Sequence, residues 1–266
     1  MKIIVCIKQV PDTSDIKWTE NNTIQREGVE SIINPYDVYA LEAAFKLKKY
    51  CVDNAICNNF EITALTMGPL QAEDILKKAI ALGCDNAILL TDKKFAGADT
   101  YATAKTLASA IKSKINDYDL IICGQFAIDG DTAQTGPGIA TQLNIPQVTF
   151  VKDINKFDGK SLYLTKEIEE GYETVKAELP SLICVLKNDK EPARPTINGL
   201  KKAKITPIKI YSSEDIDLAP EHAGLKGSPT FVSKAFRPEH NRGKCLFCNS
   251  SKEFFVKINE FGGINE

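Results

Sequence analysis

This sequence predicts an α/β fold: a mostly parallel β-sheet with helices on both faces, an antiparallel strand extension and an irregular C-terminal arm. Three observations carry that expectation. Up to about Ile145, short apolar runs of strand length alternate with longer stretches whose apolar residues recur at helical spacing. Beyond Pro146 the helical stretches stop, and strand-like runs follow one another between turn dipeptides. From about Pro220 no periodicity is sustained until a short apolar run near the end. Strands that alternate with helices pair in parallel and are buried on both faces, the Rossmann-like arrangement.

The elements follow in order. Residues 2–8 read as the first strand. Asn34-Pro35 opens a helix: the asparagine side chain is expected to cap free N–H groups, and proline suits the first helical position. Val38, Leu41, Ala44 and Phe45 give that helix one apolar stripe. EITALTMG is a strand ending at Gly68-Pro69, and residues 71–82 form an amphipathic helix stopped by Gly83. NAILLTD is a strand, 99–115 a helix, DLIICGQ a strand and 131–143 a helix. After Pro146, VTFVKDI, KSLYLTKEI, YETVKAELP and SLICVL read as antiparallel strands, with turns at Asp158-Gly159 and Glu170-Gly171. In the loop KNDKEPARPTINGLKKAK the prolines argue against regular structure, and the length argues for a function. The expected division is a domain of residues 1–219 and an arm of residues 220–266.

Composition narrows the function. Apolar residues make up 43% and charged residues 26%, which suits a globular chain with a full core. A net charge of -2 gives no basic field for a polyanion, so no nucleic-acid partner is expected. MKIIVCIKQV reads as a strand rather than an export leader, and no stretch approaches the roughly 20 apolar residues of a membrane span. The expected location is cytoplasmic, with no membrane partner. Eight cysteines are present. Cys6, Cys123 and Cys184 lie inside apolar strand runs, where a reduced thiol behaves as a small hydrophobe. Cys245 and Cys248 have metal-ligand spacing with His240 nearby, but one such pair without a second does not make a metal site, and none is expected.

In an open parallel sheet, ligands bind beyond the carboxyl ends of the strands. Segments 6–10, 66–69, 95–100 and 124–138 lie there. The last, GQFAIDGDTAQTGPG, links a buried strand to a helix. Gly124, Gly130, Gly136 and Gly138 admit a ligand close to backbone, Thr132, Gln134 and Thr135 bring donors, and the helix N-terminus offers N–H groups to a phosphate. Neither the GxGxxG fingerprint nor the phosphate-binding GxxxxGK[ST] loop is present. Asp129 and Asp131 are expected to cap the helix or to bind ribose hydroxyls. A nucleotide site and a structural glycine-rich turn both fit these residues. No catalytic side-chain constellation is found: the two histidines, His222 and His240, fall in the irregular tail, and no nucleophile elbow occurs. A nucleotide crevice without acid, base or nucleophile implies that a bound cofactor does the chemistry.

IIVCIKQVPD, NPYDVYALEAAFKLK, ALTMGP, GQFAIDGDTAQTGPGIATQL and KNDKEPARPTINGLKKAK together resemble the beta subunit of electron-transferring flavoproteins, over at least residues 1–210. The resemblance implies an α/β nucleotide-binding domain paired with an alpha subunit that carries a redox FAD. It implies a beta-subunit ligand that is AMP in mitochondrial-type members and a second FAD in members that bifurcate electrons. Carried over by position, the cofactor-binding residues are Cys6, Asn34, Pro35, Tyr36, Asp37, Met67, Gly124, Gln125, Phe126, Ala127, Ile128, Asp129, Gly130, Asp131, Thr132, Ala133, Gln134 and Thr135. Ile197 stands where the family presents an apolar anchor to acyl-CoA dehydrogenases.

AMP-binding members tend to carry D-D-D-C-N-Q-T where this chain has residues 129–135, DGDTAQT. Glycine for an acid and alanine for asparagine leave room and remove a charge, which favours FAD over AMP. GADTYATA and LKGSPT also resemble the bifurcating branch. The implied role is to take electrons from NADH, passing one to ferredoxin or flavodoxin and one through the alpha-subunit FAD to an acyl-CoA dehydrogenase. The arm is expected to pack on the alpha subunit. The alternatives are a non-bifurcating carrier with structural AMP, or a stand-alone ATP-binding module of the stress-protein type.

Overall fold

The computed structural model describes residues 1–12, 31–130, 132–188, 191–233 and 247–260. β1 (Lys2–Cys6) is buried beyond Lys2 and lies mid-sheet. A two-stranded ribbon, β2 (Gln9–Pro11) with β3 (Ser31–Ile33), leads into α1 (Pro35–Asp53). Then come β4 (Glu61–Met67), α2 (Glu73–Leu82), β5 (Asn86–Leu90), α3 (Thr100–Ala110, continued as a π-turn through Ile115), β6 (Leu120–Gly124) and α4 (Thr135–Leu143). β7 (Gln147–Phe157), β8 (Ser161–Ile168) and β9 (Gly171–Glu178) form an antiparallel meander, and β10 (Ser181–Val185) returns to the parallel sheet. α5 (Ile197–Ile205), β11 (Lys209–Tyr211) and α6 (Ser251–Glu260) complete the described elements. The sheet order is β11-β5-β4-β1-β6-β10-β7-β8-β9.

Period-two alternation along β1 explains the two-layer core. Ile3 and Val5 face α1 and α2, while Ile4 and Cys6 face α3 and α4. Each fully buried Ile or Leu contributes about 1.5–3 kcal/mol of transfer free energy. The α/β class, the parallel sheet, the helices on both faces and the antiparallel extension are therefore as the sequence predicts.

Four local expectations are overturned. SLICVL is not a hairpin strand: β10 inserts between β6 and β7, parallel to both. All five of its residues are buried, and a strand apolar on both faces belongs in the sheet centre. The fourth crossover helix begins at Thr135, not at 131, because Ala133 sits at φ +55°, a left-handed conformation that cannot open a helix; Asp131 lies outside the described residues. The lysine-rich loop is not irregular throughout. Its prolines precede α5, and Thr196 caps that helix by accepting from Gly199 N at 3.0 Å. The arm contains α6, whose Phe254 and Phe255 rings lie 6.0 Å apart and half exposed.

The segment after Pro220 remains on the domain for some distance. Asp99 accepts from Ala102 N at the start of α3 and also from Thr230 N and Thr230 Oγ1, while Asp99 N donates to Ser228 Oγ. These bonds hold the Asp99 carboxyl below the ordinary range even though burial pushes the other way. Among the described residues, no helix is long and apolar enough to cross a membrane. Cys245 and His240 lie outside the described residues, and no metal-binding cluster occurs within them.

Candidate functional site

The chain runs from β1 outward to β4 and β5 on one side, then crosses to β6 on the other. Between β1 and β6 the winding reverses, and in an open parallel sheet the crevice beyond the carboxyl ends of such a strand pair is where ligands bind. Three segments meet in it: the end of β1 with Lys8, the start of α1, and residues 124–130.

Asn34 is 1% exposed, and its side chain does not cap α1. Its backbone carbonyl takes the first helical bonds from Asp37 N and Val38 N. The side-chain amide donates to Phe126 O at 2.7 Å, and Oδ1 accepts from Ile128 N at 3.3 Å. The expected cap is thus a clamp on the glycine-rich loop.

Asp37 lies beside it, 6% exposed, with Oδ2 accepting from Lys8 N at 2.7 Å. Burial pushes its pKa up to about 7, against hydrogen bonds from Asn34, Lys8 N and Gly124 N and the charge of Lys8. Gly124 must be glycine, since a Cβ there would collide with Asp37 Oδ1 and the Tyr36 backbone. Lys8 Nζ pairs with Asp129 Oδ1 at 2.5 Å. Asp129 therefore neutralises a lysine at the crevice mouth and does not cap α4, whose N-cap, Gln134, makes no side-chain cap bond.

The remaining predicted residues fall around this core. Cys6 ends β1, and Met67 ends β4 one strand away. Tyr36 and Phe126 pack edge to face, 5.4 Å between centroids. Pro35 is the first residue of α1, and Ala127, Ile128 and Gly130 continue the loop, Gly130 with open space around it. Thr132 and Gln134 are exposed, Ala133 is partly so, and Thr135 begins α4.

Cys6, Cys123 and Cys184 form a register-aligned row across β1, β6 and β10, facing α4. Hydrogen bonds with Cys184 and Cys6, together with burial, push the Cys123 thiol well above its usual range. All three thiols are buried in the core. A Cβ at Gly136 would collide with Cys184 Sγ, so the first turn of α4 approaches the sheet only because residue 136 is glycine.

Two features escaped the sequence reading. Lys8 stands inside the IIVCIKQVPD run, but nothing there marks Asp129 as its partner. Phe150, in β7, has φ +58°, an outlier worth about 1–3 kcal/mol of strain in a bulky residue. It borders an open cleft of about 490 Å³ shared with Gln125, Gln134, Gln147 and Lys166. Nothing in the local sequence marks a strand bulge.

At the opposite end of the sheet, α5 presents Ile197 at 75% exposure. The helix is seated on the end of α2: Lys202 Nζ lies 3.0 Å from Cys84 O and 3.2 Å from Asp85 Oδ1, and a Cβ at Gly199 would collide with Ala81 O.

The electron transfer flavoprotein domain model matches residues 21–213. A Megasphaera elsdenii protein named electron transfer flavoprotein subunit beta is 45% identical over 249 residues, covering 91% of this chain and 90% of its own. Subunit CarD of the caffeyl-CoA reductase-Etf complex of Acetobacterium woodii is 44% identical over 244 residues, again 91% and 90%. The acryloyl-CoA reductase electron transfer subunit gamma of Anaerotignum propionicum is 39% identical over 260 residues, 95% and 94%.

Proposed function

This chain belongs to the electron transfer flavoprotein family as a beta subunit, and we propose that its β1–β6 crevice holds an FAD in a complex with an alpha subunit. The observation that carries the reading is the convergence of Asn34, Asp37 and residues 124–130 at the point where the sheet's winding reverses.

The residues present fit the group. α4 has no side-chain cap among the described residues, so its first N–H groups are free to meet a phosphate. Thr66 Oγ1, at the end of β4, is buried without a partner among the described residues. Gly130, with open space around it, keeps the loop backbone accessible, and Tyr36 and Phe126 bring aromatic surface. Residues 124–135, with Cys6, residues 34–37 and Met67, are those we assign to the cofactor.

When bound, the flavin supplies chemistry that no side chain here offers: accepting a hydride from NADH and releasing electrons singly, one to a ferredoxin or flavodoxin and one through the alpha subunit to an acyl-CoA dehydrogenase. The chain's own part is to bind, orient and tune. The Lys8–Asp129 pair leaves the crevice mouth close to neutral, so that a diphosphate does not meet a bare carboxylate. The names of two relatives tie them to CoA-ester reductases, which supports an acyl-CoA dehydrogenase-type partner. Ile197, presented on a seated helix with Lys201 and Lys204 beside it, is the anchor we assign to that partner. The seven described cysteines are all free, which suits a cytoplasmic setting.

The test is flavin stoichiometry of the co-purified heterodimer, from absorbance after protein precipitation. Two flavins per heterodimer support the reading. One flavin with bound AMP would replace it with the non-bifurcating carrier.

A further inference from the structure

We propose that Phe150 is a positioning residue of the cofactor site, holding residues 124–130 in their binding shape by bracing Phe126. The proposal rests on the reading of that loop as the cofactor cradle.

β7 pairs with β10 through Val148 opposite Ile183 and Val151 opposite Val185. Between those pairs, β7 has two residues, Thr149 and Phe150, where β10 has only Cys184. The extra residue makes a bulge, a device that re-aims a side chain. At φ +58° the Phe150 backbone is strained, and glycine would make the same bend without cost. The chain therefore bears the strain to put a phenyl ring at this point.

That ring serves neither core cluster and is 38% exposed. It packs edge to face on Phe126, 5.9 Å between centroids at 73°, and Phe126 packs in the same way on Tyr36. Gln125, 3% exposed, locks the geometry. Its Oε1 accepts from Phe150 N at 2.6 Å, while its own N donates to Val185 O at 2.8 Å. Asn34 grips the Phe126 carbonyl from the α1 side. Phe126 is thus fixed from two directions, and Phe150 is the outer one. A loop held in shape before binding loses less freedom when the ligand arrives.

The experiment uses the heterodimer, stripped of flavin and titrated with FAD, comparing Phe150→Gly, Phe150→Tyr, Phe126→Leu and the Phe150→Gly/Phe126→Leu double variant. Phe150→Gly should weaken FAD binding at the beta site about fivefold, the factor equivalent to one edge-to-face ring pair. The thermal midpoint of its flavin-free form should not fall, because the left-handed strain is relieved. Phe150→Tyr should bind like the unsubstituted protein, and the double variant no worse than Phe126→Leu alone, since Phe150 acts through Phe126.

If Phe126→Leu weakens FAD while Phe150→Gly does not, the cradle reading stands and the role of Phe150 is overturned. If both variants bind FAD normally, the cradle reading falls, and this inference with it. If Phe150→Gly lowers the flavin-free midpoint and its effect adds to that of Phe126→Leu, Phe150 only supports the fold.

Discussion

The side-chain amide of Asn34 donates to the carbonyl of Phe126 at 2.7 Å, joining positions 92 residues apart in sequence. One residue thereby ties the start of α1 to the loop after β6, the two halves of the crevice. Its neighbour Asp37 repeats the link through the backbone N–H groups of Lys8 and Gly124.

Asn34→Ser separates clamping from capping. Serine is as good a helix cap as asparagine but does not reach Phe126. Asn34→Ser should therefore lose as much FAD affinity as Asn34→Ala, and both should be destabilised by about 1–3 kcal/mol, the cost of leaving buried groups unpaired. FAD titration and thermal melts check this. A serine variant that behaves like the unsubstituted protein would restore capping as the role.

Asp37 makes stability depend on pH. Its folded pKa, about 7, is raised above the ordinary value of 3.8, so its contribution is full below about pH 4 and is lost as pH rises through 7. Asp37→Asn cannot titrate, although its NH₂ group faces N–H donors and costs stability at low pH. The deficit of the variant should shrink as pH rises from 4 to 7, by up to about 1.4 kcal/mol per pH unit. Denaturant melts across that range measure it. A constant deficit, or one that grows with pH, contradicts the raised pKa.

Gly136→Ala would raise helix propensity, yet its Cβ meets Cys184 Sγ. The collision should dominate and destabilise by about 1–3 kcal/mol. Cys184→Ala in the same chain should recover most of that loss, because it removes the struck atom. Urea unfolding of both single variants and of the double variant decides the point. An additive double variant would place the strain elsewhere.

Ile197→Ala removes the exposed apolar tip of α5 without touching its seat on α2. Electron delivery to an acyl-CoA dehydrogenase should slow by about tenfold, the loss expected of a moderate interface anchor. NADH oxidation by an artificial dye should not change. Equal loss in both assays would assign Ile197 to the fold or the cofactor site. Lys202→Met, which unseats the helix, should fall in the same direction.

The sequence by itself determined the alternation of strands and helices, because burial on both faces demands apolar runs for parallel strands and period 3.6 demands an apolar stripe for each helix. It also singled out the residue 124–138 segment as the candidate site, since glycines and hydroxyls between a buried strand and a helix report locally on what the backbone must do. The place of β10 was decided only by the tertiary structure. Its five buried residues, four of them apolar, fit a hairpin or a central strand equally well, and only the open slot between β6 and β7 distinguishes them. The roles of Asn34, Asp129 and Phe150 were decided there too. Asn34 caps in isolation but clamps when Phe126 comes within reach, and Asp129 meets Lys8 across 121 residues. The strained Phe150 backbone gives its N–H to Gln125, a residue just beyond β6 and 25 positions away in sequence. Local pattern encodes what a segment can bury, whereas a side chain's partner depends on which distant segment the packed sheet brings beside it.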